Sequence, residues 1–121
     1  MKENVVQERS FEFALTIIEL YKLLVEKREY VLSKQLLRAG TSIGANVEEG
    51  IAAQSRKDFL SKISIAAKEA RETRYWLRLL EKSRIIDIDY TDNLNDVERL
   101  IKILTSIVKT TSESLSLNKH P

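Results

Sequence analysis

The chain has 121 residues, 43% of them hydrophobic and 31% charged, with three Gly, one Pro and no Cys. That length fits one domain able to bury about two-thirds of its unfolded surface without a disulfide or metal. The missing Cys excludes a disulfide framework, a thiolate zinc site, an iron–sulfur cluster and a Cys nucleophile, and the excess of 20 Lys and Arg over 18 Asp and Glu, net +2, is too small to mark a strongly basic nucleic-acid binder.

Turns draw heavily on Gly and Pro, yet Gly40, Gly44 and Gly50 sit in one short stretch and Pro121 is the last residue. Long helices with short connections follow. The first is expected over about 8–27, with Phe11, Ala14, Ile18, Tyr21 and Val25 as its seam and Ile17 and Leu24 widening it. The second, about 33–52, opens at Ser33 as a cap and aligns Leu36, Ala39, Ile43, Val47 and Gly50. The third, about 56–83, places Phe59, Ile63, Ala66, Ala70, Thr73, Leu77 and Leu80 at alternating steps of four and three. Ser55 and Asp58 have the spacing of a capping box at its start.

The connector Arg84–Asp89 carries isoleucines suited to closing the end of a bundle. The fourth helix, about 90–115, repeats the alternation through Tyr90, Leu94, Val97, Ile101, Leu104, Val108, Thr111 and Leu115, with Asp89 and Asp92 at its start. Residues after about Ser112 are expected to fray. Sustained four-three spacing marks seams between helices, so the expected fold is all-α, an antiparallel up-down-up-down four-helix bundle forming a single domain over 1–121. Second apolar sets, Leu60, Ala67, Trp76 and Leu79 on the third helix and Leu100, Ile103 and Ile107 on the fourth, point to self-association. The alternative is that helix crossing buries both faces within one chain. No apolar run approaches the roughly 20 residues that span a bilayer, and the start MKENVVQERS has no signal-peptide core. A cytoplasmic protein without a membrane partner is expected.

The second helix has the most distinctive composition. Each glycine inside a helix costs about 1 kcal/mol against Ala, so Gly40 and Gly44, one turn apart, imply a close helix–helix approach. Arg38, Ser42, Asn46, Glu49 and Gly50 lie along the same stretch, and Glu72 lies on the third helix. One reading makes Arg38, Asn46, Glu49 and Glu72 a buried or half-buried polar network that fixes helix register. The other makes them a ligand or catalytic pocket.

The run Gln35-Leu-Leu-Arg38-Ala39-Gly-Thr-Ser42-Ile43-Gly-Ala-Asn46-Val-Glu-Glu49-Gly50 resembles the signature of the 23S rRNA intervening sequence proteins, Q-L-x-R-A-x-x-S-I-x-x-N-[IV]-x-E-G. Ser55, Phe59, Ile65-Ala66, Glu72 and the early Phe11-Glu-Phe-Ala-Leu fit the same family, so the resemblance covers nearly the whole chain. Where many members follow I-A with Gly-Ser, this chain has Lys68-Glu69, like a second branch of the family. The resemblance implies a bacterial four-helix bundle assembled into a ring-shaped homopentamer. The family's name refers to a genomic location, intervening sequences of 23S rRNA genes. A related group, the accessory proteins of diversity-generating retroelements, binds nucleic acid and a reverse transcriptase.

Catalytic chemistry is scarce. The one His, His120, is next to the last residue, and no His pair, P-loop or GxGxxG occurs. Glu12, Glu19 and Glu26 recur one heptad apart, the spacing of a solvated face. No enzyme, cofactor or metal is expected. Better candidates are cationic: Arg71, Arg74 and Arg78 at steps of three and four, extended by Lys68, beside Tyr75 and Trp76, with Arg56 and Lys57 at the start of the helix. Such a row can follow a phosphate backbone, RNA or DNA. The competing expectation is that Glu69 and Glu72 pair with neighbouring arginines and leave an ordinary charged face, as in a purely structural assembly or protein adaptor.

Overall fold

Apolar residues at steps of four and three form one continuous stripe on a helix of 3.6 residues per turn, and burying four such stripes against one another determines the fold. The computed structural model describes residues 2–118, in four helices: α1 Lys2–Glu26, α2 Leu32–Ile51, α3 Arg56–Ser83 and α4 Thr91–Asn118. Among these residues α1 packs on α2 and α4, and α3 packs on α2 and α4. Neighbours run antiparallel. Gln7 reaches Glu48 and Ile17 meets Gly40, Arg38 reaches Glu72 while Glu49 reaches Lys62, and Arg71 meets Thr105 while Arg74 meets Glu98. The expected up-down-up-down bundle is the observed one.

The seams predicted on α2 and α3 are buried at every position, and Tyr90, Val97, Ile101, Leu104 and Thr111 anchor α4. The seam expected on α1 is displaced. The core takes Val6, Ser10, Phe13, Ile17, Leu20 and Leu24, while Phe11 and Ile18 point outward, Phe11 being 62% exposed. Both stripes have the same four-three spacing, and the buried one has a Ser at its second position. Ser10 belongs there because α2 approaches α1 most closely at this level: a Cβ on Gly44 would lie 3.3 Å from the Ser10 carbonyl oxygen, and one on Gly40 only 2.9 Å from Ile17 Cγ2. The two glycines are the contact surface of α2 for α1. Gly50 does the same toward α3, where a Cβ would meet Lys62 Cβ at 3.2 Å.

Helix ends depart from the expected limits for identifiable reasons. The first turn of α1 forms from Lys2 because Val6 is fully buried and Lys2 Nζ donates to Ser106 Oγ on α4 at 2.7 Å. At its far end, α4 runs to Asn118, past the expected limit near 115, with Thr111 buried and Leu115 half-buried. His120 lies outside the described residues.

The cap of α2 is not Ser33, which is buried inside the helix and donates through Oγ to the Glu29 carbonyl. The Glu29 carboxylate instead accepts the N–H groups of Val31, Leu32 and Ser33. Burial would raise the Glu29 carboxyl, but these donors outweigh it and hold it below its ordinary value. Ser55 Oγ accepts from the Asp58 N–H as expected, and Asp89 accepts from Thr91 N–H. Ile86 and Ile88 pack on the core from the connector, whereas Ile85 is exposed. At the same end the Tyr90 hydroxyl donates to the Ile86 carbonyl. Burial, with the negative charges of Glu29 and Asp87, pushes the Tyr90 phenol up to about 12.

Two connections use arginine where glycine is usual. After α1, the Arg28 N–H bonds to Val25 O and the Glu29 N–H to Leu24 O, the paired bonds of a Schellman motif, with Arg28 at φ 68°. Arg84 closes α3 at φ 56°. A side chain in this left-handed region is strained. Arg84→Gly is therefore expected to raise stability by about 0.5–1 kcal/mol, read as a higher urea midpoint at unchanged m; a lower midpoint would contradict the account of this cap.

The apolar sets expected to be surplus are largely used inside the chain. Ala67, Leu100 and Ile107 are buried, and Trp76 and Ile103 pack against the core. An apolar patch remains on α1, where Phe11, Leu15 and Ile18 face outward, 62%, 50% and 37% exposed.

Candidate functional site

The long polar residues of α2 do not join into one buried network. Arg38, its side chain 49% exposed, reaches Glu69 and Glu72 on α3. Burial works against its charge, but the two carboxylates hold Arg38 protonated above its already high value. Glu49 pairs separately with Lys62. Asn46 donates to the Ser42 carbonyl and Ser42 to the Arg38 carbonyl, both within α2. The expected single network is thus three surface ion pairs, two of them on Arg38, and a ladder of side-chain-to-backbone bonds. Residues eleven apart on α2 meet α3 at different levels, so Arg38 and Glu49 cannot share a partner. Exposed pairs of this kind contribute about 0–1 kcal/mol each; their effect is to set the rotation of α3 against α2.

That pairing also settles where the acidic residues of α3 go. Glu69 and Glu72 face α2 and pair with Arg38, not with the arginines of their own helix as one expectation had it. Glu72 additionally accepts the Trp76 indole N–H at 3.1 Å.

The six cationic candidates divide into two sets. Arg74 donates to Glu98 on α4 at 3.0 Å. Arg56 bonds Glu3 on α1 at 3.0 Å while its guanidinium lies 4.2 Å above the Phe59 ring. Both are drawn out of the row by acidic partners on other helices. Lys57, Lys68, Arg71 and Arg78 are exposed and form no ion pair among the described residues. Arg71 bonds the neutral Thr105 hydroxyl and keeps its full charge available.

At about 100° per residue these four, with Lys82, fall within an arc of roughly 80° on the outer side of α3. No Asp or Glu lies in that arc, and Tyr75, 56% exposed, stands at its centre. Lys82, in the last turn of α3, differs from the other four in having an acidic neighbour, Glu81, at 3.8 Å. Since α1 and α3 both pack on α2 and α4, they are diagonal in the bundle. The cationic face of α3 and the apolar patch of α1 therefore point in opposite directions.

Among the described residues no three His, Asp or Glu side chains gather to hold a metal ion, and no helix is long and apolar enough to cross a membrane. The features that single this molecule out are two external faces on a small antiparallel bundle. The family model described as 23S rRNA-intervening sequence protein matches residues 2–106, and the chain belongs to that family. Among solved structures it is similar to a protein of unknown function from the S23 ribosomal protein family of Bacteroides thetaiotaomicron. The two are 53% identical with a TM-score of 0.86, over 90% of this chain and 99% of that one. No curated protein matches it.

Proposed function

We propose that this chain is a non-enzymatic, cytoplasmic, self-associating bundle protein that binds RNA or DNA without sequence preference through the outer face of α3. The observation that carries the reading is the row of Lys57, Lys68, Arg71 and Arg78 on one exposed helix face, with no Asp or Glu in its arc and no ion pair to any of the four among the described residues. Cations so arranged attract phosphates by releasing counterions, which needs no base-specific contact. Each copy added to an assembly repeats the row, so the modest net charge of one chain understates the field of the whole. Self-association is supported by the outward Phe11, Leu15 and Ile18; a ring, and five copies in it, come from the family resemblance. Because α1 lies diagonal to α3, closing an assembly through α1 leaves the cationic faces open.

The test is Lys68→Gln/Arg78→Gln in a titration against a labelled oligonucleotide. Loss of two phosphate contacts should weaken binding at low salt and lower the slope of log K against log salt by about two. An unchanged slope would place the binding elsewhere.

The outward apolar patch of α1 favours a second reading: a purely structural assembly or an adaptor for a protein partner, a reverse transcriptase being one candidate. This reading expects light scattering to give several chains per particle, a Phe11→Glu/Leu15→Glu variant to fall to one, and neither form to bind nucleic acid.

A further inference from the structure

We infer that the outer face of α3 is built for single-stranded rather than duplex nucleic acid, with Tyr75 as a stacking platform for an unpaired base. The inference rests on the nucleic-acid reading of the same face and names the form of strand it takes.

Tyr75 is a large aromatic, 56% exposed, in the middle of a cationic row. Arg71 and Arg78 stand about one turn away on either side, and Lys68 and Lys82 two turns away. A strand whose phosphates follow the cations brings its bases past the ring. Every base has a face to stack, and stacking is indifferent to sequence. A duplex offers no free base face to a side chain lying on its backbone.

The ring is also held in place, which lowers the entropy lost when a base settles on it. It meets Trp76 edge to face, centroids 5.2 Å apart at an interplanar angle of 71°. Trp76 packs against the core and donates its indole N–H to Glu72. Glu72 is in turn held by Arg38 from α2. The chain of contacts from Arg38 to Glu72, Trp76 and Tyr75 gives Arg38 of the α2 motif a positioning role in addition to setting helix rotation.

Three variants and three probes test this: Tyr75→Ala, Tyr75→Phe and Glu72→Leu, each against a single-stranded oligothymidine, the same length of abasic strand, and a duplex. Wild type should prefer the base-bearing strand over the abasic one. Tyr75→Ala should lose about ten-fold in affinity for the base-bearing strand, with abasic and duplex affinities and the salt slope unchanged. Tyr75→Phe should keep the wild-type preference. Glu72→Leu should lose a smaller part of the same preference with duplex affinity intact, which a merely structural role would not produce. Trp76 is the only tryptophan, so base-bearing strand should change its fluorescence more than abasic strand at equal saturation. Equal affinity of wild type and Tyr75→Ala for the base-bearing strand would overturn the stacking platform while leaving the cationic face standing. Absence of binding to all three probes would overturn the parent reading as well.

Discussion

Gly40→Leu is expected to leave the chain unfolded, and Gly40→Ala to lower its stability by about 1–2 kcal/mol. The second result runs against helix propensity, which favours Ala over Gly by about 1 kcal/mol. The packing decides it. A Cβ at position 40 would sit 2.9 Å from Ile17 Cγ2 and 3.3 Å from Ile17 Cβ. A β-branched side chain in a helix has one favoured rotamer, and Ile17 is fully buried, so neither rotation nor retreat relieves the contact. The separation of α1 and α2 must increase, loosening the core around Phe13, Leu36 and Ile43. Ile17→Ala removes both γ carbons and leaves only the 3.3 Å Cβ contact, so in that background Gly40→Ala should cost much less or become neutral. Denaturant midpoints of the four proteins of this cycle check the argument; additive effects would mean that positions 17 and 40 do not press on each other.

Glu29→Ala should cost about 2–3 kcal/mol, beyond the usual loss of a helix cap. The Glu29 carboxylate serves three N–H groups at the start of α2 and is only 7% exposed. Deleting it leaves those donors without their acceptor. Glu29→Gln keeps much of the shape and isolates the charge. The folded Glu29 titrates below its ordinary value of 4.5, so the folded chain binds fewer protons there than the unfolded chain. Its stabilising contribution is full above the ordinary value and is lost as pH falls from there through the folded value. Denaturant midpoints from neutral to acid pH should fall more steeply for wild type than for Glu29→Gln; parallel curves would contradict the cap.

How legible these features were in the sequence depended on how local their causes are. The seam of α2 could be read because its polar face contrasts with one apolar stripe, and that of α3 because the alternation of four and three runs unbroken from Phe59 to Leu80. On α1 two stripes compete, and the choice between them depends on what α2 presents: Gly40 and Gly44 admit Ile17 and Ser10, a contact no pattern within α1 encodes. The capping of α2 was hidden because the acceptor is a glutamate four residues ahead of Ser33, outside the usual Ser, Thr, Asp and Asn set. The reversal after α1 was hidden because Arg28 occupies the left-handed position that glycine ordinarily marks.

The candidate face was partly legible. Helical spacing brings Lys68, Arg71 and Arg78 together, and it also admits Arg74. Removing Arg74 takes knowledge of Glu98, 24 residues away on another helix. The same is true of Glu69 and Glu72, whose charges look able to neutralise the row until Arg38 is seen to hold them on the α2 side. Long-range ion pairs thus sorted free cations from occupied ones, and spacing alone could not.

The most direct measurement is the affinity of the wild-type chain for a labelled single-stranded oligonucleotide, followed by fluorescence anisotropy from roughly 50 to 200 mM salt. The cationic face predicts measurable binding at the low end and log K falling linearly with log salt, with a slope set by several phosphate contacts. No binding at the lowest salt, or an affinity indifferent to salt, would contradict it.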